Sequence, residues 1–358
     1  MKPIGADKAI LQYRRDLDGL RAISCLLVFF FHVHESKAWH GLFPWLPFLE
    51  GWVGVYVFFV LSGFLITSLL IGEESKYGRI HFGRFLARRE FRIVPAYYAA
   101  IALYGILCLT PIARQYASQY RAGFWYWVLY SGDIASIKQS VGTLFGHSWS
   151  LAVEQRFYFL WPVALFAFSR ARWARAMVFI AAICIVPFLP LGNGYLALIL
   201  GSSIAFLHAA GVGERLLRKV PVEITAGACL AWIVVLHWCH PLTKPFTAIA
   251  PFSILVAIFV YHLAVSESWV KRLLGTRPLV WLGQRSYSFY LVHVICLNIV
   301  MRIINSATIP GAMAVIVAGI ALAAAVAAIS YRLIEEPFRR YGKKLLDTKA
   351  TPLQAVPQ

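Results

Sequence analysis

A chain of 358 residues that is 60% hydrophobic and only 14% charged, with a mean hydropathy of +0.67, is not a soluble globule, in which those shares run near about 45–50% and about 25%. Long apolar runs recur along it and predict an all-α, polytopic bundle of membrane-spanning helices. The net charge of +18 does not point to nucleic acid, because the Lys and Arg residues gather in alternate loops, as they do on the cytoplasmic side of membrane proteins.

The opening "MKPIGADKAILQYRRDLDGLR" is polar and basic and has no cleavage-type signal, so the N-terminus is expected to be retained. About ten apolar segments follow, near 20–39, 51–72, 93–110, 150–169, 176–191, 194–210, 222–240, 246–264, 281–301 and 311–331. Each approaches the roughly 20 residues a helix needs to cross the hydrocarbon. Alternation from an inner N-terminus places 27 of the 34 Lys and Arg residues inside and 7 outside. That bias predicts ten spans with both termini cytoplasmic, in a multi-pass protein of the inner (plasma) membrane. Between the third and fourth segments, "FWYWVLY" (124–130) is too short to span, and its aromatics suit an interfacial or re-entrant helix on the outer face. Residues 1–350 are expected to form one membrane domain and 351–358 a short tail, with no soluble domain after the last span. The six cysteines fall in or near apolar runs without a CxxC, and are predicted to be buried small hydrophobes rather than disulfides or metal ligands.

The first segment carries titratable residues. His32 lies eleven residues after Arg21. At 1.5 Å per residue that is about 16 Å, so His32 sits near the bilayer midplane when Arg21 marks its cytoplasmic edge. An ionisable group at that depth is a functional candidate. Glu35 follows at i+3, where a carboxylate could fix the tautomer of the imidazole. The structural alternative is a histidine that hydrogen-bonds between helices.

In the second segment, "GVYVFFVLSGFLI" puts Ser62-Gly63 at mid-span. A small pair there admits either a neighbouring helix or a thin ligand to the backbone. Next, "RFLARREFRIVPAY" gathers Arg84, Arg88, Arg89 and Arg92 before the third span. Positive-inside anchoring accounts for some of this charge. The repeated choice of Arg over Lys also suits bidentate binding of a phosphorylated cytosolic cosubstrate. No glycine-rich phosphate loop competes for that role. "HSWSLAVEQRFYFLWP" opens the fourth span from the outside, with Glu154 near the outer mouth, where it could bind a sugar hydroxyl or take its proton. Trp149, Tyr158 and Trp161 offer stacking faces, and equally fit an aromatic belt. "QRSYSFYLVHV" brings a second histidine, His293, to mid-depth, with Tyr287 and Tyr290 beside it. "YRLIEEPFRR" reads as structural: Pro337 stops the last helix and the basic run anchors it.

Together "LDGLRAI", "FFFHV", "GVYVFFVLSGFLI", "RFLARREFRIVPAY", "SWSLAVEQRFYFLWP", "SYSFYLVH" and "YRLIEEPF", in this order and over nearly the whole chain, resemble the acyltransferase-3 family of integral membrane acyltransferases. The resemblance implies transfer of an acyl group, usually acetyl, from cytosolic acyl-CoA to a hydroxyl on a sugar; some relatives modify macrolides or other lipids. Arg21 and His32 match the family's arginine–histidine hallmark, Arg89 and Arg92 its Arg-x-x-Arg element, Ser62-Gly63-Phe64 its Ser-Gly-Phe element, and Glu154 the acid of its fourth-span motif. Gln155 stands where many relatives have a second acid, and Tyr56 where many have Asp. Many relatives also append an esterase-like domain outside the membrane, an activity expected here from another protein.

The combined expectation has His32, Glu35 and Glu154 catalytic. Arg21, Ser62, Gly63, Arg84, Arg88, Arg89 and Arg92 hold acyl-CoA, and Trp149, Tyr158 and His293 meet the acceptor. His32 acts as general base or carries the acyl group briefly. Acetyl-CoA is expected as cosubstrate, with no tightly bound cofactor and no metal. The expected partners are a cell-surface or lipid-linked glycan, such as a polysaccharide or lipopolysaccharide, and membrane lipids. A proton-coupled transporter or flippase of a glycan or small anion is the alternative. A structural partner of a polysaccharide-export complex is a third reading, one that does not need the His32 arrangement.

Overall fold

The computed structural model describes residues 13–36, 50–138, 143–167, 172–239 and 245–348. The expected tail at 351–358, and the ends of predicted spans at 37–39, 168–169 and 240, lie outside the described residues. Among the described residues every regular element is helical.

The principal helices are α1 (Arg15–Glu35), α2 (Val53–Tyr77), α3 (Phe82–Leu109), α4 (Ala117–Val128), α5 (Gly132–Ile137), α6 (Trp149–Pro162), α7 (Arg172–Ile185), α8 (Gly192–Ala210), α9 (Val222–Cys239), α10 (Pro245–Val265), α11 (Trp269–Leu274), α12 (Arg277–Gln284), α13 (Ser286–Ile303), α14 (Ile309–Ser330) and α15 (Glu336–Thr348). Every predicted span coincides with a helix. Seven helices among the described residues are long and apolar enough to cross a membrane: α1, α2, α3, α8, α10, α13 and the run from Ile309 to Leu346. The predicted segments at 150–169, 176–191 and 222–240 form shorter helices.

The buried centre is α2, whose side chains are enclosed over most of its length. It crosses α8 at very short range because both helices present glycine at the crossing. A Cβ on Gly63 would stand 2.0 Å from the Leu198 carbonyl oxygen, and one on Gly201 would stand 2.1 Å from that of Val60. Small residues facing each other let apolar helices pack through their backbones. On its other side α2 meets α1, which also touches α12, α13 and α11. The outward faces of α3, α7 and α14 expose Ile106, Leu109, Met177, Ile180, Val317 and Ile329, as lipid-facing helices do. Cys184 lies on that outer face, while Cys25, Cys108, Cys229 and Cys296 are buried. The expectation of burial thus fails at Cys184, because α7 turns that apolar face away from the bundle.

Contacts join the ends of several helices. At one end, Arg175 of α7 binds Glu74 of α2 at 2.5 and 2.8 Å. The Tyr261 hydroxyl of α10 donates to the Val212 carbonyl at 2.5 Å, Arg14 donates to the Leu263 carbonyl at 2.7 Å, and Gln284 donates to the Tyr13 hydroxyl at 2.7 Å. At the other end, His237 of α9 lies 3.7 Å from Glu50, and Arg302 of α13 donates to the Pro111 carbonyl at 3.3 Å. The first set defines a basic end, where the arginines of α1, α3 and α15 converge.

Candidate active site

Three adjoining cavities lie toward the basic end, and Arg89 and Arg92 border all three. The spacing on α3 explains the arrangement. Arg89 and Arg92 are three residues apart, Arg84 and Arg88 four apart, so each pair shares a helix face. Arg84 and Arg88 line the outermost cavity with Lys76. Arg21 and Arg339 join Arg89 and Arg92 in the next. The innermost is a narrow, partly open cleft of about 80 Å³ that runs past Arg21, Arg89 and Arg92 to Ser62, Glu154, Ser150 and Tyr290.

Two carboxylates are set among these guanidinium groups. Asp18 lies 3.7 Å from Arg21, and Glu335 lies 3.8 Å from Arg92 while accepting from the Ser288 hydroxyl at 3.1 Å. Glu335 closes the π-helical turn Tyr331–Glu335 that joins α14 to α15. Such turns re-aim side chains at functional sites. The segment read as structural therefore supplies a buried acid to the arginine mouth.

Glu154 is a hub. Its Oε1 accepts from both the Ser62 hydroxyl of α2 and the Tyr158 hydroxyl one turn along α6. The Arg89 guanidinium lies over the Tyr158 ring, 5.3 Å from its centroid. These positions correct the expected placement of Glu154 and Tyr158 at an outer mouth. The residues before α6 dip into the bundle as a 3₁₀ segment, Thr143–Ser148. That segment sets His147 against His32 and His293. α6 therefore begins at the depth of His32 and runs toward the basic end, which carries Glu154 and Tyr158 to the arginines. Trp149, half-buried, packs its ring 6.0 Å from Phe59, within the bundle rather than at an outer sugar face. Arg156 turns away to bind Asp133 of α5.

Beyond the inner end of the cavity stand three imidazoles. His293 Nε2 is 3.2 Å from His32 Nδ1, and the His147 ring centroid lies 6.0 Å from that of His32 and 5.0 Å from that of His293. Backbone carbonyls assign the tautomers. His32 Nδ1 lies 2.8 Å from the Val28 carbonyl oxygen, and His293 Nδ1 lies 2.7 Å from that of Tyr290. A carbonyl only accepts, so each Nδ1 carries a hydrogen. His293 Nε2 then offers a lone pair to the His32 N–H, and the remaining lone pair of His32 is on Nε2. A neutral imidazole held this way is a poised base or nucleophile. Among the described residues no group of His, Cys, Asp and Glu has a geometry that could hold a metal ion.

Glu35 does not join this cluster. It is the last residue of α1 and is exposed, whereas the orienting contact of His32 is the carbonyl one turn back. The expected carboxylate–imidazole pair is replaced by Val28 and His293. Gly63 does not reach the cavity either. One residue of helix rotation separates it from Ser62, which turns its missing side chain to α8. Of the residues that sequence reading singled out, the structure brings Arg21, Ser62, Arg89, Arg92, Glu154 and Tyr158 around one cavity, and His32 beside His293; the grouping itself was not foreseen. Sequence reading also names no role for five others. It misses Asp18, Glu335, His147, Ser150 and Tyr290. The only trace of these in the sequence is that they sit inside the quoted motifs.

A family profile described as an acyltransferase domain matches residues 14–332. The O-acetyltransferase OatA of Staphylococcus aureus (strain NCTC 8325) is 28% identical over 93% of this chain and 58% of its own length. The peptidoglycan O-acetyltransferase OatA of Listeria monocytogenes is 26% identical over 92% of this chain and 56% of its own length. The chain spans about three fifths of the length of the curated relatives it matches. No solved structure matches. With the profile covering most of the chain and both the arginine mouth and the paired histidines inside it, the chain belongs to the acyltransferase-3 family.

Proposed function

We propose that the protein is an inner-membrane O-acetyltransferase that takes an acetyl group from cytosolic acetyl-CoA and delivers it to a hydroxyl of a cell-surface or lipid-linked glycan. The observation that carries this reading is the continuous run of space from Arg21, Arg89 and Arg92 to Ser150 and Tyr290, with His32 and His293 just beyond. CoA is a polyanion too polar to cross, so its phosphates pair with the guanidinium forks at the mouth. The pantetheine arm then follows the cavity inward past Ser62. Glu154, anchored by two hydroxyls, sits beside Arg89 and shapes the path. The charge bias of 27 to 7 and the pairing of helix ends support ten crossings with cytoplasmic termini. The glycan class is supported by the relative named for peptidoglycan.

In the chemical step, His32 Nε2 takes the proton of the acceptor hydroxyl while its oxygen bonds to the thioester carbonyl carbon. Collapse breaks the carbon–sulfur bond, and the CoA thiolate takes the proton from His32. The same lone pair could instead accept the acetyl group first and pass it to the hydroxyl; rapid quench for acetyl-histidine separates the two orders.

The test uses full-length protein in lipid nanodiscs with acetyl-labelled CoA and envelope glycan from the host. Label transfer and release of CoA thiol by wild type, lost in His32→Ala, support the reading. Movement of glycan or acetate across a vesicle membrane without acetyl transfer would replace it with a transporter.

A further inference from the structure

The inner wall of the donor cavity is made by two hydroxyls that share one acceptor. The Tyr290 hydroxyl donates to the His147 carbonyl oxygen at 2.9 Å. The Ser150 hydroxyl reaches the same oxygen at 3.1 Å, and the two hydroxyls are 2.7 Å apart. Both residues border the cavity. The Tyr290 ring also packs beside the imidazoles, with centroids 5.2 Å from His147 and 5.5 Å from His293.

Counting hydrogens shows what this cluster can do. Two hydroxyl hydrogens serve three oxygen–oxygen contacts. One hydrogen satisfies the buried His147 carbonyl, so the other is free to turn toward the cavity without orphaning a buried polar group. Few other neutral donors face the inner end. The arginines are spread along the wall toward the mouth, and the hydroxyls of Ser62 and Tyr158 are committed to Glu154.

From this geometry we infer that Tyr290, supported by Ser150, is the oxyanion donor of the acyl-transfer step. The inference rests on the acetyl-transfer reading. As the acceptor oxygen bonds to the thioester carbon, the carbonyl π pair moves onto oxygen. The Tyr290 O–H turns to that oxygen while Ser150 takes over the His147 carbonyl. When the carbon–sulfur bond breaks, the pair returns, the thiolate leaves with the proton from His32, and Tyr290 swings back. A donor that meets the carbonyl oxygen only as charge develops on it acts on the transition state rather than on binding. Tyr290 also fixes His293 through its own carbonyl, so the donor and the histidine that contacts the base are held by one turn of α13.

The test compares wild type, Tyr290→Phe and Ser150→Ala in nanodiscs, with acetyl-CoA and with its dithioester analogue, in which sulfur replaces the carbonyl oxygen. Tyr290→Phe is expected to lower kcat by about 10²–10³-fold, with CoA affinity by titration kept within about twofold. Ser150→Ala is expected to lose less, since Tyr290 remains. Wild type should be slowed strongly by the oxygen-to-sulfur change, because sulfur accepts poorly, and Tyr290→Phe only slightly. An unchanged kcat in Tyr290→Phe, or the same sulfur penalty in wild type and variant, overturns the assignment and leaves Tyr290 a packing residue. Absence of acetyl transfer by wild type removes the acyltransferase reading itself, and with it this role.

Discussion

His293 Nε2 stands 3.2 Å from His32 Nδ1 across the α1–α13 contact, and the carbonyls of Val28 and Tyr290 hold the two rings in complementary tautomers. No carboxylate takes part. The orientation of the mid-membrane base therefore depends on helix packing, and its partner can be tested separately. His32→Ala is expected to lower acetyl transfer by about 10²–10⁴-fold, the usual share of a general base. His293→Leu removes one of the two acceptors beside the His32 N–H and leaves the Val28 carbonyl, so it is expected to cost less than His32→Ala. His293→Gln, whose side-chain oxygen accepts, should recover part of that loss. Glu35→Gln should leave the rate near wild type, and a large loss there would return the carboxylate to the base. Label-transfer rates at saturating acetyl-CoA decide each case.

The arginine mouth contains one position where binding and folding are linked. On the proposed reading, Arg89→Ala and Arg92→Ala each remove a charge-assisted contact to CoA, with an expected loss of about 1.5–3 kcal/mol, or roughly 10–150-fold in Kd. Lysine should restore only part, since it lacks the fork. Arg92→Ala also strands Glu335, whose side chain is 1% exposed. Its Tm should therefore fall further than that of Arg89→Ala. Adding Glu335→Gln should recover the Tm but not the CoA affinity. Calorimetric titration and thermal unfolding of the same samples measure both. Equal CoA affinity in alanine, lysine and wild-type proteins would reduce the cluster to a topology device.

Neighbouring residues on α2 should respond in opposite ways. Gly63→Ala forces a methyl to within 2.0 Å of the Leu198 carbonyl oxygen, and Gly201→Ala meets Val60 similarly. Neither contact can be relieved by a side-chain rotation, so both variants should yield less folded protein. Ser62→Ala leaves Glu154 one donor, Tyr158, and should fold near normally while transfer slows. Detergent size-exclusion profiles alongside activity distinguish the two outcomes.

These contrasts show what the sequence could reveal. Apolar period and charge bias are properties of single segments, and they located the long apolar helices and their basic end; the short helices α5 and α11 carry no such signal, and α15 runs on through Pro337, the residue expected to stop the last helix. The arginine cluster and His32 were legible because burying such groups in lipid is expensive. What stayed hidden depends on how segments meet. Gly63 could equally have admitted a ligand or a helix, and only the facing Gly201 decides. Glu154 and Tyr158 changed ends because the 3₁₀ entry before α6 dips to His32, and no periodicity records that dip. Glu335 lay unremarked in a segment read as structural, and the π turn sets it beside Arg92. Ser150 and Tyr290 carry no charge, so nothing in composition marks them.

The last prediction concerns sidedness. The ion pair Arg175–Glu74 and the hydrogen bond from Arg14 to Leu263 place the ends of α2, α7 and α10 beside the start of α1. The contact of Arg302 with Pro111 puts the α13–α14 turn beside the end of α3. Single cysteines at Ser75 and Thr276, both exposed near the basic end, should be protected from an impermeant maleimide in intact cells. A cysteine at Asn305, exposed near the Arg302–Pro111 contact at the other end, should react, with Cys184 replaced first because it is exposed. The mechanism depends on this result, because the arginines must face cytosolic CoA while the acceptor arrives at His32 from the opposite side. If Ser75 and Asn305 react from the same side, donor and acceptor share one entrance. His32 would then lie at the closed end of a single-sided pocket, and transfer across the membrane would fail even where acetyl transfer itself is observed.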